Sequence, residues 1–188
     1  MDERTRFINN NVKGRTLDMG CSFGLLHNLI KNDNLFGIDI EINKNHTKNF
    51  VNGDVLKLPY KDNTFDTIIA GEIIEHLNDL DGFIDDCYRI LKSKGIMIIT
   101  TPNKKSFVNK IFKSYHTDFH ISLMDKNELL KLLKRKFSII YYKCIIYNTT
   151  TIYQNRLNQP SFKERISKFK IGLYGYKMRP GFHQIRNV

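Results

Sequence analysis

The sequence predicts an α/β fold built on a mostly parallel sheet with helices on both faces. Short apolar runs alternate with amphipathic stretches between residues 15 and 146, which is the pattern of successive βαβ units. The chain has 188 residues, which suits one domain with a sizeable core and a small extension.

The apolar runs predict seven strands. Gly95 is expected to form the turn before the fifth strand, and Pro102 to end that strand. The seventh strand is expected at the edge of the sheet. In chain order the predicted strands are Thr16–Met19, Leu35–Ile38, Phe50–Val51, Thr67–Ala70, Ile96–Thr100, Phe137–Tyr147 and Ile171–Met178.

Apolar residues at helical spacing predict the helices. Ser22–Lys31 and Leu80–Lys92 each place their apolar residues on one face. Asp125 is a candidate N-cap for a helix that contains four leucines. Ser161–Lys170 is a candidate basic amphipathic helix, whereas Ile40–Asn49 is too short for an ordinary crossover helix.

The net charge of +11 is concentrated in the second half of the chain. Residues 1–100 hold 12 basic and 15 acidic side chains, whereas residues 101–188 hold 18 and 4. Such a region is expected to face an anionic partner, which would be RNA, a phosphorylated substrate or a membrane surface. Solvated lysines that bind nothing are the equally weighted alternative.

The three cysteines are far apart and odd in number, so no disulfide framework is expected. The charged start predicts no signal peptide, and no apolar run approaches the length of a membrane span. We therefore expect a cytoplasmic protein, either free in the cytoplasm or bound peripherally at a membrane.

A glycine-bearing loop joins the first strand to the first helix, with the sequence Leu-Asp-Met-Gly-Cys-Ser-Phe-Gly over residues 17–24. Gly20 and Gly24 would let the backbone turn tightly against a ligand. A phosphate-binding loop would read G-x-G-x-x-G. Here Asp18 stands first, and its carboxylate would repel pyrophosphate but suit the ammonium of a methionine-like tail.

Two further acids follow predicted strands. Asp39 comes 19 residues after Gly20, at the position from which a carboxylate binds ribose hydroxyls, and Glu41 is its near competitor. Asp54 follows the third strand, where a carboxylate can accept from an exocyclic amine. Taken singly, each acid could be an ordinary turn residue, but three in order at strand ends favour a binding site.

The stretch from Asp18 to Asn103 resembles the class I S-adenosylmethionine-dependent methyltransferases, above all the ubiquinone and menaquinone biosynthesis group. The matching segments are LDMGCSFG, FGIDIE, NGDVLKLPYKDNTFDTIIAGEIIEHL and DDCYRILKSKGIMIITTPN. The resemblance implies a Rossmann-like seven-stranded sheet and S-adenosylmethionine as cofactor, with S-adenosylhomocysteine as product. It covers nearly half of the chain and does not name the methyl acceptor.

The resemblance also implies roles for individual residues. Residues 18–24 would hold the methionine side, with Ser22 at the usual second glycine. Asp39 would bind the ribose, residues 54–56 would contact the adenine, and the end of the fourth strand would lie beside the sulfonium. The implied cofactor-binding residues are Asp18, Gly20, Cys21, Ser22, Gly24, Asp39, Ile40, Asp54, Val55, Leu56, Gly71 and Glu72.

Three histidines are candidate catalytic residues. His76 follows the fourth strand and could act as a general base at the mouth of the pocket, or simply pack on the sheet edge. His116 and His120 lie in the loop that would cover the substrate. The spacing His116-x-Asp118-x-His120 invites a metal interpretation, but no fourth ligand is evident, so no metal is expected.

The sequence predicts methyl transfer to a small molecule, which could be a lipid or glycan precursor. The alternatives are an RNA methyltransferase that uses the basic half, or a non-catalytic protein that binds S-adenosylmethionine. The expected organisation is a short segment over residues 1–14, a cofactor-binding core over 15–147, and a basic extension over 148–188. That extension would complete the sheet or cover the substrate site.

Overall fold

The computed structural model describes residues 2–21, 26–42, 49–105, 120–148 and 170–180. Its helices are α1 (Glu3–Asn9), α2 (Leu80–Ile90) and α3 (Lys126–Leu133), with short 3₁₀ helices at His27–Leu29 and Ile74–His76. Its strands are β1 (Thr16–Met19), β2 (Leu35–Asp39), β3 (Phe50–Asn52), β4 (Phe65–Gly71), β5 (Leu91–Pro102), β6 (Phe137–Asn148) and β7 (Lys170–Pro180).

The strands form one sheet in the order β3-β2-β1-β4-β5-β7-β6. The first five strands in this order, β3 to β5, are parallel to one another. β7 runs antiparallel to both β5 and β6. The predicted α/β class and mostly parallel Rossmann-like sheet are confirmed.

β7 lies between β5 and β6, so the prediction that it forms the edge of the sheet is wrong. β6 occupies that edge instead. An antiparallel pair can join the edge of a parallel sheet through either member. The choice depends on contacts across the sheet, which the alternation of apolar residues along one strand does not reveal.

Both faces of the sheet are covered by helices. On β4, Ile68 and Ala70 belong to a cluster with Phe83 of α2. Ile69 points to the opposite face and packs in a cluster with Ile8 of α1. All five side chains are fully buried, as expected for strands between two helical layers. These layers fix the carboxyl ends of β1–β4 relative to one another.

The predicted helix over Ser22–Lys31 is wrong for its described part. Residues 27–29 form a single 3₁₀ turn, and Ile30 is already extended. Asn9 explains why the helical segment ends early. Its side-chain Nδ2 donates to the carbonyl of Leu29, and its side-chain Oδ1 accepts from the amide of Lys31. These backbone groups therefore bond to α1 rather than to a further helical turn.

Gly95 is not a turn before the fifth strand, because β5 already begins at Leu91, directly after α2. Leu91 pairs with Phe65 and Ile96 pairs with Thr67, so the ladder is irregular between these two pairs. The four residues between these pairs on β5, Gly95 among them, face the single residue Asp66 on β4 and make the ladder irregular there.

Asp125 caps α3 as predicted. Its carboxylate accepts from the amides of Asn127 and Glu128, and the side chain of Glu128 accepts in return from the amide of Asp125. This capping box satisfies backbone donors that would otherwise lack partners at the helix start. It positions α3 against the same face of the sheet as α2.

The sequence analysis missed α1, although its N-cap is visible in the sequence. The carboxylate of Asp2 accepts from the amide of Thr5 at 2.7 Å and from the hydroxyl of Thr5 at 2.9 Å. Thr5, Phe7 and Ile8 are buried. Seven residues are too few for a stable isolated helix, so α1 depends on its cap and on packing against the sheet.

Replacing Asp2 with alanine is expected to lower the free energy of unfolding by about 1 kcal/mol, because the first turn of α1 loses its cap. In a chain of this size that corresponds to a fall in Tm of about 2–4 °C. Differential scanning calorimetry measures it. Asp2→Asn keeps an acceptor oxygen and should stay close to wild type; an equal fall in both variants would contradict a capping role.

The candidate helix over Ser161–Lys170 lies outside the described residues except for Lys170, which begins β7 and is not helical. Most of the basic extension also lies outside the described residues. The anionic partner expected from their charge therefore stays a prediction. Within the described ranges, none of the helices combines the length and apolar composition that a bilayer-spanning segment needs.

Candidate functional site

A cavity of about 470 Å³ opens at the carboxyl ends of β1–β4. In open α/β sheets this is the edge where ligands bind, and the volume is in the range that holds a small-molecule ligand. We call this space the acidic cavity. Its lining residues are Gly20, Asp39, Ile40, Glu41, Asp54, Val55, Glu72, Ile73, His76 and Leu77.

The charge of the acidic cavity restricts its ligand. Four of its lining residues are carboxylic acids, and none of the described lining residues is lysine or arginine. A pyrophosphate would be repelled there, whereas a ligand with a positive centre and sugar hydroxyls would be attracted. The lining therefore argues against dinucleotides and fits a cationic nucleoside.

Gly20 brings the backbone close to the acidic cavity. It has a φ of +69°, in the left-handed region that favours glycine. A Cβ added there would lie 2.5 Å from Cδ1 of Ile73, which also lines the cavity. The amide of Gly20 donates to the carbonyl of Ile38 at 2.9 Å, which ties the loop after β1 to β2. A ligand can therefore approach the main chain here.

Asp18 lies behind the acidic cavity rather than in its lining. Its carboxylate is 1% exposed and lies 3.1 Å from Nδ1 of His27. Burial raises the pKa of Asp18, and the hydrogen bond with His27 opposes that rise. Asp18 thus stabilises the loop after β1 through a buried contact with His27. Ser22 and Gly24 of the same loop lie outside the described residues.

Cys21 is buried and does not line the acidic cavity. Burial raises the pKa of its thiol to about 12, and the charges of Asp18 and Asp39 add to that rise. A thiol with so high a pKa is a poor nucleophile at neutral pH.

Asp39 ends β2 and lines the acidic cavity with 7% of its surface exposed. Its Oδ1 accepts from the amide of Glu41 at 2.9 Å. The side-chain amide of Asn52 donates to the carbonyls of Asp39 and Ile40. These bonds fix the carboxylate at the strand end, where a ribose diol could bind it. Ile40 is exposed and also lines the cavity.

Asp54 is a turn residue and also lines the acidic cavity. Its Oδ1 accepts from the amide of Leu56 at 2.9 Å, which makes it a turn residue. It also lines the acidic cavity together with the buried side chain of Val55. Leu56 does not line the cavity and packs instead on the hydrophobic cluster between the sheet and α2.

Glu72 follows β4 with a φ of +57°, a conformation that is rare for a residue with a side chain. Arg4 of α1 donates to Glu72 at 3.0 Å and to the hydroxyl of Thr100 at 3.1 Å. Gly71 makes room for this arginine, because a Cβ there would lie 2.7 Å from its Nη2. The sequence analysis missed Arg4. The feature that could have drawn attention to it is the N-cap residue Asp2, which marks the start of the helix that contains Arg4.

His76 lines the acidic cavity, as predicted for a residue at the pocket mouth. The ring of His120 lies 4.8 Å from that of His76, although 44 residues separate them. The preceding residue, Glu75, is 1% exposed and accepts from the hydroxyl of Thr101 at 3.0 Å. Burial raises the pKa of Glu75 to about 7, and the Glu72 carboxylate adds to that rise. His116 lies outside the described residues.

Comparison with known proteins identifies the domain. Residues 17–99 match the family described as "Methyltransferase domain". An uncharacterized protein of Methanocaldococcus jannaschii is 36% identical over an alignment of 115 residues that covers 56% of this chain and 50% of that protein. The ubiquinone biosynthesis O-methyltransferase of Pelagibacter ubique is 38% identical over an alignment of 112 residues that covers 50% of this chain and 45% of that protein. The chain thus spans about half the length of these relatives.

A solved S-adenosylmethionine-dependent methyltransferase of Thermotoga maritima, a possible histamine N-methyltransferase, superposes with a TM-score of 0.70 at 18% identity. The superposition covers 94% of this chain and 87% of that protein. At this identity the likeness shows the fold alone. The family and the fold imply S-adenosylmethionine as cofactor, and the acidic cavity suits its positive sulfonium and its ribose. Residues 17–99 therefore resemble a methyltransferase domain, and the fold and the acidic cavity agree with the class I S-adenosylmethionine-dependent type.

Proposed function

We propose that this protein transfers the methyl group of S-adenosylmethionine to a small-molecule acceptor. The observation that carries the proposal is the acidic cavity itself. Its carboxylates follow β2, β3 and β4 in chain order, and a glycine with positive φ follows β1. This arrangement offers hydrogen-bond acceptors for a nucleoside and negative charge for a sulfonium.

The described residues divide the binding work between them. The main chain at Gly20 would face the methionine part, and the Asp39 carboxylate would accept from both ribose hydroxyls. Asp54 would accept from the adenine amine, with Val55 packed on the ring. Glu72, held by Arg4, would lie beside the sulfonium.

The cofactor, when bound, supplies an activated methyl group, so the protein's contribution is orientation and the exclusion of water. Ile73 and Leu77 are apolar residues of the lining on the side of Glu72 and His76 in the sequence. They would keep water from the reacting centre. His76 lies at the same wall and would hold or accept the proton of an acceptor hydroxyl.

For the acceptor we propose a small molecule of the lipid or glycan precursor class. The support is the relative from Pelagibacter ubique, which is named for an O-methyl transfer in ubiquinone biosynthesis. The basic extension suits an acceptor that carries phosphate or lies at a membrane surface.

Isothermal titration of the purified protein with S-adenosylmethionine, and separately with S-adenosylhomocysteine, tests the proposal. We expect one site with micromolar affinity for each. Transfer of a labelled methyl group to phenolic lipids and glycan precursors, and then to RNA, identifies the acceptor class. A folded sample that binds neither ligand would overturn the proposed activity.

A further inference from the structure

A buried carboxylate and imidazole meet beneath the loop that follows β1. Nδ1 of His27 lies 3.1 Å from Oδ2 of Asp18, and both side chains are buried. Asp18 belongs to β1, and His27 begins the 3₁₀ turn on the other side of the glycine-bearing loop. Their contact therefore closes the base of the loop, which lines the acidic cavity at Gly20. We call these two side chains the Asp-His pair.

The imidazole has room because β2 carries a glycine beside Asp18. Asp18 and Gly37 are partners in the parallel ladder of β1 and β2, so the two positions face the same side of the sheet. A Cβ at Gly37 would lie 3.1 Å from Cε1 of His27 and 2.8 Å from Sγ of Cys21. The ring of His27 thus packs against the glycine, and the packing holds it at hydrogen-bond distance from the carboxylate.

An ionised carboxylate at this position needs a partner. Asp18 is also the ladder partner of Ile69 on β4, and both residues are almost completely buried. Burying a charge without a partner costs free energy. Burial accordingly raises the pKa of Asp18, and the hydrogen bond and the charge of His27 oppose that rise. His27 therefore favours the ionised form of the Asp18 carboxylate.

Three other titratable or charged groups act on the Asp-His pair within the described part of the chain. Arg4 of α1 lowers the pKa of Asp18, whereas the Asp39 carboxylate at the end of β2 raises it. The thiol of Cys21 has a pKa of about 12 and is uncharged at neutral pH. Arg4 and Asp39 thus oppose each other, and a proton taken up by the pair is what changes its net charge.

We propose that His27 is a positioning residue for the cofactor, and that it acts through Asp18. The hydrogen bond keeps the carboxylate charged and aligned beneath the loop that would receive the methionine end. This role rests on the proposed methyl transfer, which supplies the ligand. The ammonium of the methionine end is a cation, so it favours the pair with a net negative charge over the protonated, neutral pair. Cofactor binding therefore releases part of a proton from the Asp-His pair.

The direction of the pH dependence follows from this linkage. As the pH falls, the pair takes up a proton and loses its net negative charge, so its attraction for the ammonium weakens. We expect the Kd of S-adenosylhomocysteine to rise about tenfold between about pH 8 and about pH 5, the range in which histidine side chains change charge. Within that range, binding should release a measurable fraction of a proton for each ligand bound.

Isothermal titration with S-adenosylhomocysteine over this pH range, in buffers of different ionisation enthalpy, measures both Kd and the protons released. His27→Gln keeps a hydrogen-bond donor for Asp18 but takes up no proton. This variant should bind as tightly as wild type at about pH 8 and lose most of the pH dependence. Asp18→Asn removes the charge, so its affinity at every pH should be close to that of wild type at about pH 5.

Two controls separate the Asp-His pair from other titrating groups. Asp85→Asn removes an acid of α2 that pairs with Lys136, and it should keep the wild-type pH profile. Adenosine lacks the ammonium, so the pH dependence of its Kd should be the same in wild type and in His27→Gln. This comparison accounts for Glu75, whose pKa of about 7 lies in the same range. Circular dichroism melting verifies the folding of each variant.

The outcomes distinguish this inference from the proposed function. Wild-type pH dependence that persists in both His27→Gln and Asp18→Asn would overturn only the role of His27. An equal loss of affinity at every pH in His27→Gln would do the same, because it would indicate a purely structural contact. If His27→Gln does not fold, Asp18→Asn decides the test. A folded wild-type protein that binds neither S-adenosylmethionine nor S-adenosylhomocysteine would overturn both proposals.

Discussion

Asp39→Ala is expected to weaken S-adenosylhomocysteine binding about 100-fold or more. The Asp39 carboxylate is nearly buried at the end of β2 and lines the acidic cavity. Hydrogen bonds to a charged acceptor contribute about 1.5–3 kcal/mol each, and every 1.4 kcal/mol changes Kd about tenfold. Loss of two such bonds to the ribose diol gives the expected factor. Isothermal titration measures it.

Two further variants separate the lost ligand contact from a disturbed loop. Asp39→Asn keeps an oxygen that can accept from the amide of Glu41, as Oδ1 does in the native structure, but it lacks the charge. We expect an intermediate loss, about tenfold. Glu41→Gln removes a charge of the same cavity and should change Kd only slightly. Loss in Glu41→Gln with wild-type affinity in both Asp39 variants would mean that Glu41 binds the ribose.

Gly20→Ala is expected to weaken cofactor binding at least about tenfold and to lower Tm. At a φ of +69°, a Cβ costs about 1–2 kcal/mol, which corresponds to a fall in Tm of about 2–8 °C in a chain of this size. The added Cβ would also lie 2.5 Å from Cδ1 of Ile73. Rotation of Ile73 relieves that contact, but it moves the side chain into space that the cofactor needs.

The double variant Gly20→Ala with Ile73→Val separates the two costs. Valine lacks Cδ1, so the closest remaining atoms of residue 73 would be those now 3.1 and 3.2 Å from the added Cβ. We expect much of the affinity to return while Tm stays low, because the backbone strain remains. Ile73→Val alone is the control. Wild-type affinity in Gly20→Ala would show that this loop does not contact the cofactor.

The inner part of the fold follows closely from the sequence. β1 spans the predicted residues, and β2 and β3 extend one residue beyond theirs. β1 is buried along its whole length, β2 is buried toward its carboxyl end, and β3 is half-buried or exposed. Each of the three strands is followed or ended by a polar or glycine residue, which marks its carboxyl end in the sequence. Strand ends in turn locate the site, because ligand-binding residues of such sheets follow the strands directly. Gly20, Asp39 and Asp54 were found in this way, and Glu72 was implied by the family resemblance; all four line the acidic cavity.

The outer elements were less predictable. α1 is too short for periodicity to reveal, and its stability comes from packing Phe7 and Ile8 on the sheet. The helix expected over Ser22–Lys31 is reduced to a 3₁₀ turn in its described part, because Asn9 takes its backbone bonds. The position of β7 between β5 and β6 depends on which strand meets β5 first in three dimensions.

The sequence by itself determined the class of fold, the carboxyl ends of the inner strands and the acids that follow them. Each of these depends on residues within one strand and its adjoining loop. Only the tertiary structure decided which distant residues meet near the site: Arg4 with Glu72, and His120 with Glu75. Such pairs form only after the sheet has brought separate segments together, so local hydrophobic pattern and spacing contain no record of them.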